Sequence, residues 1–293
     1  MATLYDQVSS NNRKAFFLIF FFLIFVILIG WAFSYYFDSN LILYFAVGFS
    51  MLMSFVSYYN SDKIILTMTH AQEIQKVHHP ELYRIVENLA ITSGMPTPKI
   101  YILEEMQPNA FATGRDEKHA VVAVTRGLLE KLDKRELEAV IAHEIAHIKG
   151  KDVLIGSIIV VLVGIITILS DIFLRSLFWG GNNDNDNKNP LFIVLAIVGM
   201  ILAPIAATII KLAVSRKQEF RADANSALLT RDPDALISAL IKISSDRTPL
   251  HKVDNATAHL YISSPFKNKT NWVNKLFMTH PPIEDRVNAL KQL

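Results

Sequence analysis

Four long apolar stretches, Ala15 to Phe37, Leu41 to Tyr59, Val153 to Leu174 and Leu191 to Leu212, constrain this chain more than anything else in it. Each is long enough to cross about 30 Å of hydrocarbon as a helix. A hydrophobic content of 51% and a mean hydropathy of +0.29 agree with membrane spans. The first stretch ends in Ser34-Tyr35-Tyr36-Phe37 and leads at once into the second. A cleaved signal peptide would have a shorter apolar core and a small-residue cleavage site, so it reads as a permanent anchor. The Gly/Asn-rich segment from Gly180 to Asp186 reads as a loop between the third and fourth stretches, and Pro204 is placed to kink the fourth.

Orientation follows from Lys and Arg near the span ends, since positive residues stay on the cytoplasmic side. Arg13, Lys14, Lys63, Lys149, Lys151, Lys211, Arg216 and Lys217 fall on one side and only Arg175 and Lys188 on the other. Both termini and both polar regions are therefore expected in the cytoplasm, in a polytopic protein in contact with the lipid bilayer. The expected organisation is a two-span anchor over 1–60, a polar part over 61–152, an apolar hairpin over 153–212 and a C-terminal polar part over 213–293. In the alternative arrangement, the third and fourth stretches pack as a buried hairpin that does not fully cross.

The polar part between the spans has a mixed pattern. A helix is expected from Pro80 to Ser93, and Val- and Ile-rich strands from Pro98 to Leu103 and from Ala120 to Thr125. The fold class is therefore mainly α with a small β-sheet. The most sharply defined element follows: Asp133 at an N-cap position, Glu136 three residues on to complete a capping box, and Leu137, Val140, Ile141, Ile145 and Ile148 at helical spacing.

His143, Glu144 and His147 lie inside that helix. Residues four apart share a face, so the two imidazoles can present nitrogens to one Zn²⁺ at about 2.0–2.1 Å. Glu144 is offset by about 100°, which suits it to take a proton from an attacking water instead of binding the metal; bound zinc lowers the pKa of water to about 7. The bland reading is two exposed helix histidines beside a solvated glutamate.

A catalytic zinc takes three protein ligands. Candidates for the third are Glu219 and Asp223, four apart in a segment just beyond the fourth stretch. One can bind the metal while the other hydrogen-bonds a ligand imidazole, and spacing does not say which. A solvated, salt-bridged helix face is the alternative.

The run Ala142-His143-Glu144-Ile145-Ala146-His147, the hydrophobic pair after it and Glu219-Phe220-Arg221-Ala222-Asp223 resemble the HtpX family of membrane metallopeptidases, relatives of the CAAX prenyl proteases. Two N-terminal spans, Asn109-Ala110-Phe111-Ala112-Thr113-Gly114 and Thr279-His280-Pro281-Pro282 extend the likeness over nearly the whole chain. The resemblance implies a zincin-like core, one Zn²⁺ per chain, Glu219 as the third ligand, Glu144 as general base and Asp223 as a support beside the metal. It further implies His280 as an oxyanion stabiliser, supported by Arg286, and Asn109, Ala110 and Phe111 as substrate contacts. The Asn109 to Thr125 region is expected to offer a turn and an exposed strand edge, to which an extended peptide adds by main-chain hydrogen bonds; an ordinary hairpin is the alternative. Quality control of membrane proteins, at the cell membrane and from its cytoplasmic side, is the role the resemblance implies.

Other classes fit less well. Cysteine is absent, which excludes a disulfide framework and a cysteine nucleophile. The net charge of +2 is nearly balanced and forms no basic stripe for nucleic acid. A metal transporter would need metal ligands at mid-depth in its spans, and a structural zinc scaffold a fourth protein ligand. Prenyl-protein proteases carry more spans than this chain. The histidines at 70, 78, 79, 119, 251 and 259 are expected at the surface.

Overall fold

A computed structural model describes residues 4–36, 38–179, 216–248, 260, 262 and 281–293. The fourth apolar stretch and the histidines at 251, 259 and 280 lie outside the described residues.

The first two apolar stretches become the helices α1 (Leu4–Tyr36) and α2 (Asn40–Met68), reversed on each other through Asp38 at φ 48°. Both run further than apolar composition foretold: α1 begins among polar residues, and α2 continues past Tyr59. Val8–Tyr35 and Asn40–Met68 are long and apolar enough to cross a membrane. Small residues let the pair approach closely. A Cβ at Gly30 would stand 2.2 Å from that of Ala46, and Ser50, Ser54, Ser57 and Ser61 form a buried stripe along α2. The opposite surface leaves Phe16, Phe21, Leu41 and Phe45 exposed, a composition suited to lipid.

Helix α6 (Asp152–Trp179) carries the third stretch. From Leu154 to Ile166 its large side chains are mostly buried in a cluster with Phe22, Val26 and Ile65 of α1 and α2. This half of the stretch is therefore packed on protein.

The sheet sits between that apolar cluster and a second core. Strands β1 (Gln72–Glu73), β2 (Lys99–Leu103), β3 (Ala110–Thr113) and β4 (Val121–Thr125) stand in the order β1-β2-β4-β3, with β2–β4 parallel and the other pairs antiparallel. Side chains alternate across a strand. Ile100, Ile102, Ala110, Ala112, Val122 and Val124 accordingly face one core, while Leu103, Phe111 and Ala123 face the membrane-helix cluster. The Asn109 to Thr125 region forms the antiparallel pair β3–β4, with β3 as the outermost strand of the sheet. All four β3 residues are buried on its two faces.

Helices α3 (Pro80–Thr92), α4 (Arg126–Lys131), α5 (Lys134–Gly150), α7 (Arg216–Thr230), α8 (Pro233–Ser245) and α9 (Ile283–Leu290) complete the described chain. Helix α5 starts with the capping box read from sequence: Glu136 N donates to Asp133 Oδ1 at 3.0 Å and Asp133 N to Glu136 Oε2 at 2.9 Å. Glu136 does more than cap. It is buried, and it also accepts from Ser238 Oγ at 2.6 Å and Lys242 Nζ at 2.7 Å on α8.

Burial alone would raise the Glu136 pKa, but the hydrogen bonds from Lys242, Ser238 and the Asp133 backbone outweigh it and hold the carboxyl below its ordinary value. A depressed carboxyl stabilises the fold above its unfolded pKa of about 4.3, and that contribution disappears as pH falls through the folded value. Glu136→Ala is expected to lower unfolding stability by about 2 kcal/mol at neutral pH. In denaturant titrations of the two proteins, the gap should close as pH is lowered below about 4.

Candidate metal centre

Helix α5 places His143 and His147 one turn apart, with ring centroids 4.7 Å apart and ring planes at 85°. Their Nε2 atoms converge to 3.1 Å. Helix α7 lies alongside and contributes Glu219, whose Oε2 is 3.8 Å from His143 Nε2 and whose Oε1 is 3.5 Å from His147 Nε2. Donors at about 2.0–2.1 Å around one tetrahedral ion stand about 3.3 Å from one another, so the three residues fit zinc with little adjustment. Among the described residues they form a group whose ligand atoms all lie within 4.8 Å of one another.

The solvated-face alternative for α7 does not hold. Glu219, Ala222, Asp223, Ser226 and Ala227 form one buried stripe at helical spacing, and small residues in it let α7 lie close against α5. Ser226 Oγ donates to Ala139 O of α5 at 2.7 Å. Both acids are 3% exposed or less.

Each imidazole meets a carboxylate on its far side. His143 Nδ1 is 2.9 Å from Asp223 Oδ1, and His147 Nδ1 is 3.1 Å from Asp152 Oδ2. A carboxylate there keeps the proton on Nδ1 and leaves the Nε2 lone pair for a metal. Asp223 is held in turn by Arg286 of α9, which donates through Nε at 2.8 Å and Nη2 at 2.6 Å. Arg286 is fully buried, and its Nη1 lies 3.7 Å from Glu219 Oε2.

Burial would raise the pKa of Asp223, yet the hydrogen bonds from Arg286 and His143 pull it down to about 2. Burial would lower that of His147, but Asp152, Glu219 and Glu144 raise it to about 9. The Asp223 shift reports its cationic partner Arg286, and the His147 shift reports the carboxylates around it. With neutral imidazoles, Glu144, Asp152, Glu219 and Asp223 stand against one guanidinium, a net charge of −3 that a divalent cation largely offsets.

Glu144, 6% exposed, lines the same cavity as His143, His147 and Glu219. Its wall also includes Phe111 and Ala112 of β3, with Leu260 and Ile262. The sequence-predicted residues thus divide. Phe111 borders the cavity, whereas Asn109 is buried and structural, its backbone N donating to Thr125 Oγ1 at 2.8 Å and its Oδ1 accepting from Ile262 N at 2.9 Å. Arg286 holds Asp223 and also stands directly beside the site, its Nη2 3.5 Å from His143 Nε2. Pro282 is the N-cap of α9. The histidines at 70, 78, 79 and 119 are exposed.

Asp152 was missed. It follows Lys151, which closes α5 in the left-handed conformation at φ 57°. The only signal available was an acid directly after the end of the histidine helix.

Comparison with known proteins adds a family. Residues 76–293 match the profile of peptidase family M48. Over 99% of its length the chain is 42% identical to a protease HtpX homologue of Caldanaerobacter subterraneus subsp. tengcongensis, covering 98% of it. It is 44% identical to one of Dictyoglomus thermophilum, with 99% of the chain and 95% of the relative covered. The fold resembles the crystal structure of S. mikatae Ste24p, with a TM-score of 0.51, 17% identity, and 98% of this chain and 67% of that one covered.

Removing Arg286 should expose the cost of burying Asp223. Arg286→Met is expected to destabilise the protein by about 3–5 kcal/mol, because it leaves a buried carboxylate without its partner. Arg286→Met combined with Asp223→Leu should recover part of that loss, as read from unfolding midpoints of the detergent-solubilised protein.

Proposed function

The chain belongs to peptidase family M48, and from that premise we propose that it is a membrane zinc endopeptidase in which His143, His147 and Glu219 hold the metal and Glu144 is the general base. The observation that carries the reading is the convergence of the two Nε2 atoms and the Glu219 carboxylate beside a cavity that Glu144 lines. Among the described residues, three converging side chains match the ligand number of a catalytic zinc, where a structural site takes four.

Bound zinc supplies Lewis acidity: it polarises a peptide carbonyl and lowers the pKa of water. The chain's own residues do the rest. Glu144 follows His143 directly and is turned away from the ligand face, so its carboxylate can take a proton from the attacking water and pass it to the leaving amine. Asp223 and Asp152 hold the two imidazoles in the Nδ1–H tautomer. Arg286 pins Asp223 and places its positive charge near Glu219. His280, two positions before the Pro282 cap of α9, is the candidate to stabilise the developing oxyanion.

An extended segment of the substrate lies along β3, where Phe111 and Ala112 border the cavity. β3 is the outermost strand of the sheet, so main-chain pairing gives affinity with little sequence preference. Asn109 and Ala110 set the position of that strand.

Substrates are proteins. We assign membrane proteins among them and a quality-control role, because α6 and α1, from Asn11 onward, run from the metal site directly into the apolar helix cluster. The distribution of Lys and Arg supports a site on the cytoplasmic side of the cell membrane.

Purified Glu144→Gln is expected to retain about one zinc per chain and to lose casein cleavage by at least about a hundredfold, whereas His147→Ala should lose the metal. An active, chelator-insensitive Glu144→Gln protein would contradict the mechanism. Equal cleavage of soluble and membrane substrates after reconstitution into lipid would remove the membrane-selective part.

A further inference from the structure

Asp152 supports His147 with one carboxylate oxygen, Oδ2. The other is held by two amides from far apart in the chain. Asn11 Nδ2 donates to Asp152 Oδ1 at 2.6 Å, and Gln218 Nε2 donates to the same oxygen at 2.6 Å. The amides are bonded to each other, Gln218 Nε2 to Asn11 Oδ1 at 2.9 Å. Asn11 Nδ2 also donates to Gly150 O at 2.8 Å, the last residue of the histidine helix.

This network fixes its own orientation. Asn11 has two N–H donors facing two acceptors and one oxygen facing a donor, so a flipped amide would set oxygen against both Gly150 O and the Asp152 carboxylate. Asn11 is 1% exposed although it sits on α1, the helix that continues into the first membrane stretch. Gln218 immediately precedes Glu219. The cluster therefore joins α1, the end of α5, the start of α6 and the start of α7 at one carboxylate.

Resting on the zinc-site reading above, we propose that Asn11 is a positioning residue for the metal ligand His147: together with Gln218 it aims Asp152 at His147 Nδ1, so that docking of the first membrane helix sets the zinc affinity of the site. Without these two donors the Asp152 carboxylate is held less firmly, and its hold on the His147 tautomer and ring plane weakens. Partners of this kind are worth about 10–100-fold in metal affinity. Asn11 is one step further out and shares its task with Gln218, which puts its removal near the lower end.

The test uses the full chain in detergent, titrated with zinc against a competing chelator and with Co²⁺ as a spectroscopic probe of the coordination geometry. Asn11→Leu is expected to lower zinc affinity about tenfold and to alter the Co²⁺ absorption bands. Asp152→Asn should lower affinity at least as much. In the double variant, Asn11→Leu should add little to Asp152→Asn, because both act along one path.

Gln218→Met, which removes the other donor from the same oxygen, gives a second route should Asn11→Leu fail to fold. Unchanged zinc affinity in Asn11→Leu and Gln218→Met overturns the proposal, including the case in which only the melting of the zinc-free protein falls. Full additivity of Asn11→Leu with Asp152→Asn overturns it too. If His147→Ala itself leaves zinc affinity unchanged, the fault lies in the zinc-site reading.

Discussion

Two imidazoles on neighbouring turns of one helix have to be held with their Nε2 atoms facing each other, and almost everything else near them follows from that demand. Free imidazole rings rotate about two bonds, and their lone pairs converge only if something holds the opposite nitrogen. Here a carboxylate stands at each Nδ1, Asp223 for His143 and Asp152 for His147. Burying carboxylates is unfavourable unless every lone pair finds a donor. Asp223 meets the fork of Arg286, two parallel charge-assisted bonds from a rigid guanidinium. Asp152 meets neutral amides, which donate as well but add no charge.

That difference shapes the electrostatics of the centre. A second guanidinium in place of the amides would weaken the site's attraction for a cation. With the amides, the excess negative charge persists, and it appears as the raised pKa of His147. The same excess opposes the close approach of α5 and α7 unless a proton or a metal offsets it, and Arg286 of α9 offsets part of it. Zinc binding and the stability of the three-helix arrangement are therefore one quantity read in two ways.

The sequence revealed the elements whose determinants are local. Helix α5 was legible to the residue at its start because a capping box is a short-range signal and its apolar positions recur at helical spacing. The strands β2 and β4 showed themselves by their Val and Ile content. What remained hidden depends on contacts across the chain. Glu219 and Asp223 share a face, so spacing could not rank them; in the fold Asp223 meets His143 Nδ1 and Arg286, leaving Glu219 beside both Nε2 atoms. The faces of β3 looked exposed because a hairpin gives no hint that α5 and α6 will pack on them. Asn11 carried no signal whatever. It is one of a pair of asparagines ahead of an apolar run, and its meaning lies 141 residues away at Asp152.

Position in the chain explains why the membrane helices and the metal centre are so closely joined. The ligand helix α5 ends at Gly150, turns through a left-handed Lys151 and continues at Asp152 as α6, which enters the apolar cluster within one turn. A flexible linker at that point would let the second imidazole drift, since its support is the first residue of the next helix. The abrupt turn removes that freedom at the cost of one strained residue. It also forces α6 to leave at a fixed angle, so that α1 and α2 pack against a helix whose direction the metal site has already set. A sheet with one face on each core transmits the same alignment through Leu103, Phe111 and Ala123. The apolar cluster and the two imidazoles are thus joined through α6 and the sheet, with no flexible segment between them.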